Sequence, residues 1–268
     1  MSSEIQDYIL KLSDRNTKAR LDAANALARM GDEALDAVTT LMNHDNYAIR
    51  RIAAYVLGKI GNSDSVEILV DALGDDNSDV RKSAAQALNR IGQPAIPLLI
   101  RALGNISKDV RASAVWSLSK MGAMVVDPLI EALHSEVKDV RASAVWALSK
   151  VGQHSADALI GLIEHEEKNV RESAIWGLAK IGVPAIEKLA EKWNVRIGKE
   201  AIPGESETDS VDPGDLLSGG EQSIKQWIKF MIENRTPPKS EEVAPIIEPE
   251  TEETPVDTPS EPSETSED

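Results

Sequence analysis

Apolar positions recur along this chain at helical intervals inside blocks that open near an Arg and close on a Gly eleven residues later. In Asp109-Val110-Arg111-Ala112-Ser113-Ala114-Val115-Trp116-Ser117-Leu118-Ser119-Lys120-Met121-Gly122, a rotation of about 100° per residue puts Val110, Ala114, Val115, Leu118 and Met121 on one face. The equivalent positions of the other blocks are apolar at nearly every copy, which predicts a helix buried along that stripe. The opening Arg copies are Arg20, Arg50, Arg81, Arg111, Arg141 and Arg171, spaced by 30, 31, 30, 30 and 30 residues. The closing copies are Gly31, Gly61, Gly92, Gly122, Gly152 and Gly182, each expected as a left-handed cap, after which Pro94, Pro184 or a polar residue opens the next helix. Between blocks a shorter stripe, such as Leu98, Leu99, Ala102 and Leu103 or Leu129, Ile130 and Leu133, predicts a preceding helix. Two helices per period are too few to bury their own apolar faces, so the units must stack.

One copy, Asp79-Val80-Arg81-Lys82-Ser83-Ala84-Ala85-Gln86-Ala87-Leu88, resembles the short HEAT-like repeat of the phycobilisome-lyase type, with its Asp-Val-Arg opening and Ala-Ala-x-Ala-Leu core. The resemblance covers residues 3 to about 199. It implies an all-α fold, a right-handed α-α superhelix of about six HEAT-like hairpins. We place these at about 3–31, 32–61, 62–92, 93–122, 123–152 and 153–182, with a capping helix at 183–195, all in a domain of residues 1–199. Arg50, Arg81, Arg111, Arg141 and Arg171 are read as structural, each guanidinium tying its helix start to the Asp or Asn two residues before the neighbouring Arg. Solenoids host many roles, so the resemblance is nearly silent on function.

Opposite the buried stripe lie the positions one, two, five and nine after the Arg. Position five carries Asn25, Tyr55, Gln86, Trp116, Trp146 and Trp176, and position nine carries Arg29, Lys59, Arg90, Lys120, Lys150 and Lys180. Each aromatic is thus four residues from a cation on one helix face. In solenoids of this kind second helices line the concave side, so the candidate partner-binding residues are Tyr55, Lys59, Gln86, Arg90, Trp116, Lys120, Trp146, Lys150, Trp176 and Lys180. A Trp buries about 150–250 Å², and three in a row, if exposed, approach the ~300–600 Å² of a monomer's largest apolar patch. Adjacent helices stack ~8–10 Å apart and a polyproline II strand advances ~9.3 Å every three residues. An extended peptide crossing the repeats therefore matches the aromatic spacing, with acidic groups facing the cations. A competing reading stays open: Lys108–Gly122 and Lys138–Gly152 differ only at Ser117/Ala147 and Met121/Val151, so the tryptophans are also consistent with unit duplication or with packing.

Charge divides the chain. Residues 1–200 carry 25 Lys and Arg against 27 Asp and Glu, whereas residues 201–268 carry 4 against 18. We expect a flexible linker at 200–220, a short amphipathic helix at 221–235 built on Ile224, Trp227, Ile228 and Met231, and a disordered acidic tail at 236–268 rich in Pro, Glu, Ser and Thr. The tail, with its apolar island Val243-Ala244-Pro245-Ile246-Ile247-Glu248-Pro249, is a candidate ligand for the aromatic and basic face of its own chain. No run reaches the ~18 apolar residues of a spanning helix, and Met1-Ser2-Ser3-Glu4 lacks a secretory pattern, so a soluble, cytoplasmic protein is expected.

Families with this repeat include bilin lyases and the di-iron deoxyhypusine hydroxylase. The hydroxylase resemblance would require His-Glu pairs in successive repeats, because two metals need several inward imidazoles and carboxylates. Here His44, His134, His154 and His165 fall between helices, and positions one and two after the Arg are Ala112-Ser113, Ala142-Ser143 and Glu172-Ser173. With no cysteine, thiolate chemistry is excluded. We expect no metal, no cofactor and no catalytic set. A protein-binding scaffold is the first reading, an enzyme of the lyase or hydroxylase type the alternative. Single-stranded nucleic acid ranks third, because phosphate-driven binding needs a basic excess that residues 1–200 lack.

Overall fold

The computed structural model describes residues 2–192 and Ile228. The expected linker, the tail and the amphipathic helix apart from Ile228 lie outside the described residues, as does the end of the expected capping helix at 193–195. The described part is all helical, a stack of thirteen α-helices: α1 Ser3–Lys11, α2 Thr17–Met30, α3 Asp32–Thr40, α4 Tyr47–Ile60, α5 Val66–Asp71, α6 Ser78–Ile91, α7 Ile96–Ala102, α8 Lys108–Lys120, α9 Val126–Ala132, α10 Lys138–Val151, α11 Gln153–Leu162, α12 Lys168–Ile181 and α13 Val183–Lys192. Odd-numbered helices are the first, even-numbered the second of each hairpin. First helices are short, and most begin or end in a single 3-10 turn such as Gln93–Ala95 or Ala72–Gly74. The sequence stripe did not anticipate these turns, because a 3-10 turn tightens the chain without changing which residues face inward.

Asn16, Asn46 and Asn77 cap α2, α4 and α6, accepting from amides of the first turn, whereas Ser107, Val137 and Glu167 in the later repeats make no side-chain cap. What all six second helices share is a clip. Nη1 of each repeat Arg donates to the carbonyls six and five residues before it: Arg20 to Asp14 and Arg15, Arg50 to His44 and Asp45, Arg81 to Asp75 and Asp76, Arg111 to Asn105 and Ile106, Arg141 to Ser135 and Glu136, Arg171 to His165 and Glu166. The structural role expected for Arg50, Arg81, Arg111, Arg141 and Arg171 therefore needs correcting in its target. The guanidinium ties the helix to its own preceding loop, and Arg50 in addition pairs with Asp75 and Asp76 in the loop of the following repeat. Only Arg111 approaches the Asp two residues before the next Arg, with Nη1 3.9 Å from Asp139. The loop is locked a second time by the residue six before the Arg: Asp14, His44, Asp75, Asn105, Ser135 and His165 each accept from the amide two residues on.

The six closing glycines all have positive φ, between 61° and 93°. Gly61, at φ 75° and ψ 11°, is a left-handed cap as expected, whereas Gly31, Gly92, Gly152 and Gly182 pair positive φ with ψ between −131° and −161°, a region open almost only to glycine. Nothing would touch a Cβ at these positions, so the backbone angle alone demands glycine.

One continuous core runs the length of the stack, with Leu27, Leu57, Leu88, Leu118, Leu148 and Leu178 fully buried at the same point of successive second helices. Second helices contact one another more extensively than first helices do, which places them on the inner side of the curve. The tightest approach is α4 on α6. Ser117 of α8 bonds Ala85 O (3.2 Å) and Asn89 Oδ1 (3.0 Å) of α6. Positions four and eight after the Arg therefore face the following repeat.

Candidate binding face

Tyr55, Trp116, Trp146 and Trp176 come from α4, α8, α10 and α12 and lie along the inner side, but none is fully exposed. All four are half-buried and packed against the core. The exposed-patch expectation is corrected accordingly: each ring gives part of its surface to the core. The face is also narrower than expected, since Ser143 and Ser173 at position two are buried.

The i, i+4 spacing produces the expected pairs. Lys59 Nζ lies 5.4 Å from the Tyr55 ring centroid, Lys120 5.8 Å from Trp116, Lys150 5.2 Å from Trp146 and Lys180 5.9 Å from Trp176. A second set of contacts crosses between repeats: Arg90 sits 5.2 Å above Tyr55, and Lys180 4.5 Å above Trp146. Gln86 is exposed, so the aromatic row is interrupted in its repeat, yet Arg90 reaches back across the gap. Asn25 extends the row at the other end, its Oδ1 accepting from Lys59 Nζ (3.0 Å) and Tyr55 OH (3.4 Å). Asn25 was visible at position five but carries no charge or ring; its register was the signal.

A lysine ammonium has three N–H donors and a guanidinium five, so such a row suits carboxylates while the indoles suit apolar or proline side chains. Lys180 is the most constrained. Burial, then the nearby Lys150 charge, lowers its pKa from the ordinary lysine value. A carboxylate laid against Lys180 would offset both. In the free protein the depressed pKa is a penalty, present at neutral pH and relieved only as pH rises toward the ordinary value of about 10.4. Lys180→Met is therefore expected to leave the unfolding free energy unchanged or slightly higher, by at most about 0.5 kcal/mol, while weakening acidic ligands; a clear loss of stability would show that the charge itself supports the fold.

The family model for HEAT repeats matches residues 5–89, 72–149 and 126–195, most of the chain. The chain belongs to the HEAT repeat family. Among solved structures, the complex of CpcE and CpcF of phycocyanin lyase from a Nostoc species is 20% identical over 85% of this chain and 94% of that chain, with a TM-score of 0.36. Human deoxyhypusine hydroxylase in complex with glycerol is 20% identical over 86% of this chain and 96% of that one, with a TM-score of 0.37. An archaeal HEAT-like repeats protein from Thermococcus onnurineus is 17% identical over 87% of this chain and 99% of that one, with a TM-score of 0.40. No match is found among curated proteins.

A di-iron centre of the hydroxylase kind does not fit the residues present. Among the described residues, one group of His and Glu donors gathers within 4.8 Å: His134, His165 and Glu167 on adjacent loops of repeats five and six. Sequence spacing did not pair these loops. Two of the three side chains are exposed, His165 Nδ1 accepts from the Glu167 amide (3.1 Å), and His134 Nδ1 lies 3.3 Å from Glu167 Oε1. The group ties neighbouring loops together and offers no inward cradle for two ions. Among the described residues, no helix is long and apolar enough to cross a membrane.

Proposed function

We propose that this HEAT repeat protein is a non-enzymatic interaction scaffold whose inner face binds an extended, acidic, proline-containing protein segment. The reading rests on one observation, the run of aromatic rings each covered by the cation of its own repeat, with Tyr55 and Trp146 covered from the following repeat as well. Charged groups sharing such a row repel one another, as Lys150 and Lys180 do. A row that gathers cations and half-covers rings relieves that repulsion when an anionic chain lies along it. Tyr55, Trp116, Trp146 and Trp176 serve as apolar anchors, with Lys59, Arg90, Lys120, Lys150 and Lys180 as the charge row and Gln86 as a polar gap.

Titration of the full chain with an acidic, proline-spaced peptide, followed by tryptophan emission, is expected to saturate. Trp146→Ala and Lys120→Glu should each weaken binding at least tenfold, about 1.4 kcal/mol, while the chain still melts cooperatively. Lys120 is exposed, so its loss of binding cannot be ascribed to unfolding. Unchanged affinity in both variants would refute the inner face as the site. Single-stranded oligonucleotide in place of peptide should bind weakly, since residues 1–200 have no basic excess. Tight oligonucleotide binding with a steep salt slope would reverse the assignment.

A further inference from the structure

The end of the stack is more buried than an open end should be. Positions four and eight after the Arg face the following repeat, as Ser117 on Ala85 and Asn89 shows. In α12 those positions are Ile175 and Ala179, and they are 0% and 1% exposed, although residues 2–192 hold no further second helix to cover them. The first helix of the seventh unit, α13, likewise buries Ala185, Ile186, Leu189 and Ala190 completely. First helices elsewhere lean on the second helix of their own hairpin, and α13 has none within residues 2–192. Ile228 is helical, 0% exposed and part of the same core cluster. It is thus the residue on hand to fill the place of the missing second helix.

The proline-rich acidic stretch of the tail begins at Pro237, nine residues beyond Ile228. Residues 237–268 carry eleven Asp and Glu against the single Lys239, together with the apolar island at Val243–Pro249. Lys180, the constrained cation of the row, belongs to the repeat that ends this stack. Six cations at one per repeat span five steps of ~8–10 Å, roughly 50 Å. The 32 residues of the tail reach about 100 Å at ~3.1 Å per residue. Reach and charge both suit the row.

We propose that Ile228 anchors the chain at the end of the stack and that the acidic tail beyond it lies along the cation row as an intramolecular occupant, which an outside ligand must displace. This rests on the inner face being a binding site for acidic segments. A short tether gives an effective concentration on the order of 1 mM, so a tail with a separate affinity of about 0.1 mM would weaken an outside ligand about tenfold.

The test uses the full chain and a full-length variant with the eleven tail carboxylates changed to Gln and Asn, each titrated with deca-glutamate at low salt. The neutral-tail variant is expected to bind about tenfold more tightly, and Trp146→Ala on that background to remove the gain. Ile228→Asp, which loosens the anchor, should also tighten binding of the probe while repeats one to five still melt cooperatively. Equal affinity of wild type and neutral-tail variant would overturn the tail as occupant and leave the inner face standing. Absence of binding in both, with unshifted tryptophan emission, would instead overturn the inner face as a site for acidic segments and the tail proposal with it.

Discussion

Replacing Gly58 with Val will destabilise the solenoid by about 3 kcal/mol or more and split its thermal transition in two. Gly58 is buried in α4 against α6, and a Cβ there would lie 2.5 Å from Ala87 Cα and 2.6 Å from Ala87 Cβ. The obstructing atoms are backbone and a methyl group fixed to it, so no side chain can swing away and the helices must separate. Alanine gains about 1 kcal/mol of helix propensity over glycine, but the separation of two packed helices outweighs that gain, so Gly58→Ala is also expected to destabilise. Neighbouring units couple mainly through their interfaces. A broken α4–α6 contact uncouples the first two repeats from the rest, and calorimetry should resolve the two parts. Gly161 in α11 is the control: nothing lies near its Cβ position, and Gly161→Ala should stabilise by roughly 0.5–1 kcal/mol. A stabilised Gly58→Ala would show that α4 and α6 can part without loss.

Asp75→Ala will cost about 3 kcal/mol, a loss that is specific to pH. Asp75 accepts from Arg50 Nε and Nη2, both at 2.8 Å, and from the Asn77 amide at 2.9 Å, with the Asp and Arg side chains 11% and 13% exposed. Burial raises the Asp75 pKa, but the Arg50 and Asn77 hydrogen bonds and the Arg50 charge outweigh it and hold the carboxyl below its ordinary range. A depressed carboxyl stabilises the fold fully above its unfolded value of about 3.9, and that contribution is lost as pH falls through the lower folded value. Urea unfolding of wild type and Asp75→Asn should therefore differ fully at pH 7 and converge in strong acid. A gap that does not close in acid would mean that loop geometry, not the ion pair, carries the effect. This bidentate pair joins repeats two and three, the same junction that Gly58 tightens.

The Arg and the histidines show where sequence reasoning loses sight of the structure. A guanidinium has five donors, and an Asp near the next Arg is a visible partner, so the expectation pointed there. The partners that all six share are carbonyls of the arginine's own loop, groups that every residue carries and no sequence pattern marks, and where Arg50 does reach acids of the next repeat they are Asp75 and Asp76 rather than Asp79. His44 and His165 are acceptors for the same loop, a role filled elsewhere by Asp14, Asp75, Asn105 and Ser135. The shared trait is an acceptor six residues before the Arg, and chemical type alone conceals it.

The all-helical stack, the buried stripe, the positive-φ glycines and the own-repeat pairing of aromatics with cations all follow from spacing along one chain. A 3.6-residue turn fixes which side chains share a face, and a repeat of 30 residues fixes what must stack. The half-burial of Tyr55, Trp116, Trp146 and Trp176, the reach of Arg90 and Lys180 over the preceding repeat's ring, the backbone-to-backbone approach at Gly58 and the covering of Ile175 and Ala179 were settled only by the stacked helices. Those features depend on the distance and rotation between neighbouring units, which sum many small packing terms and leave no period in the sequence.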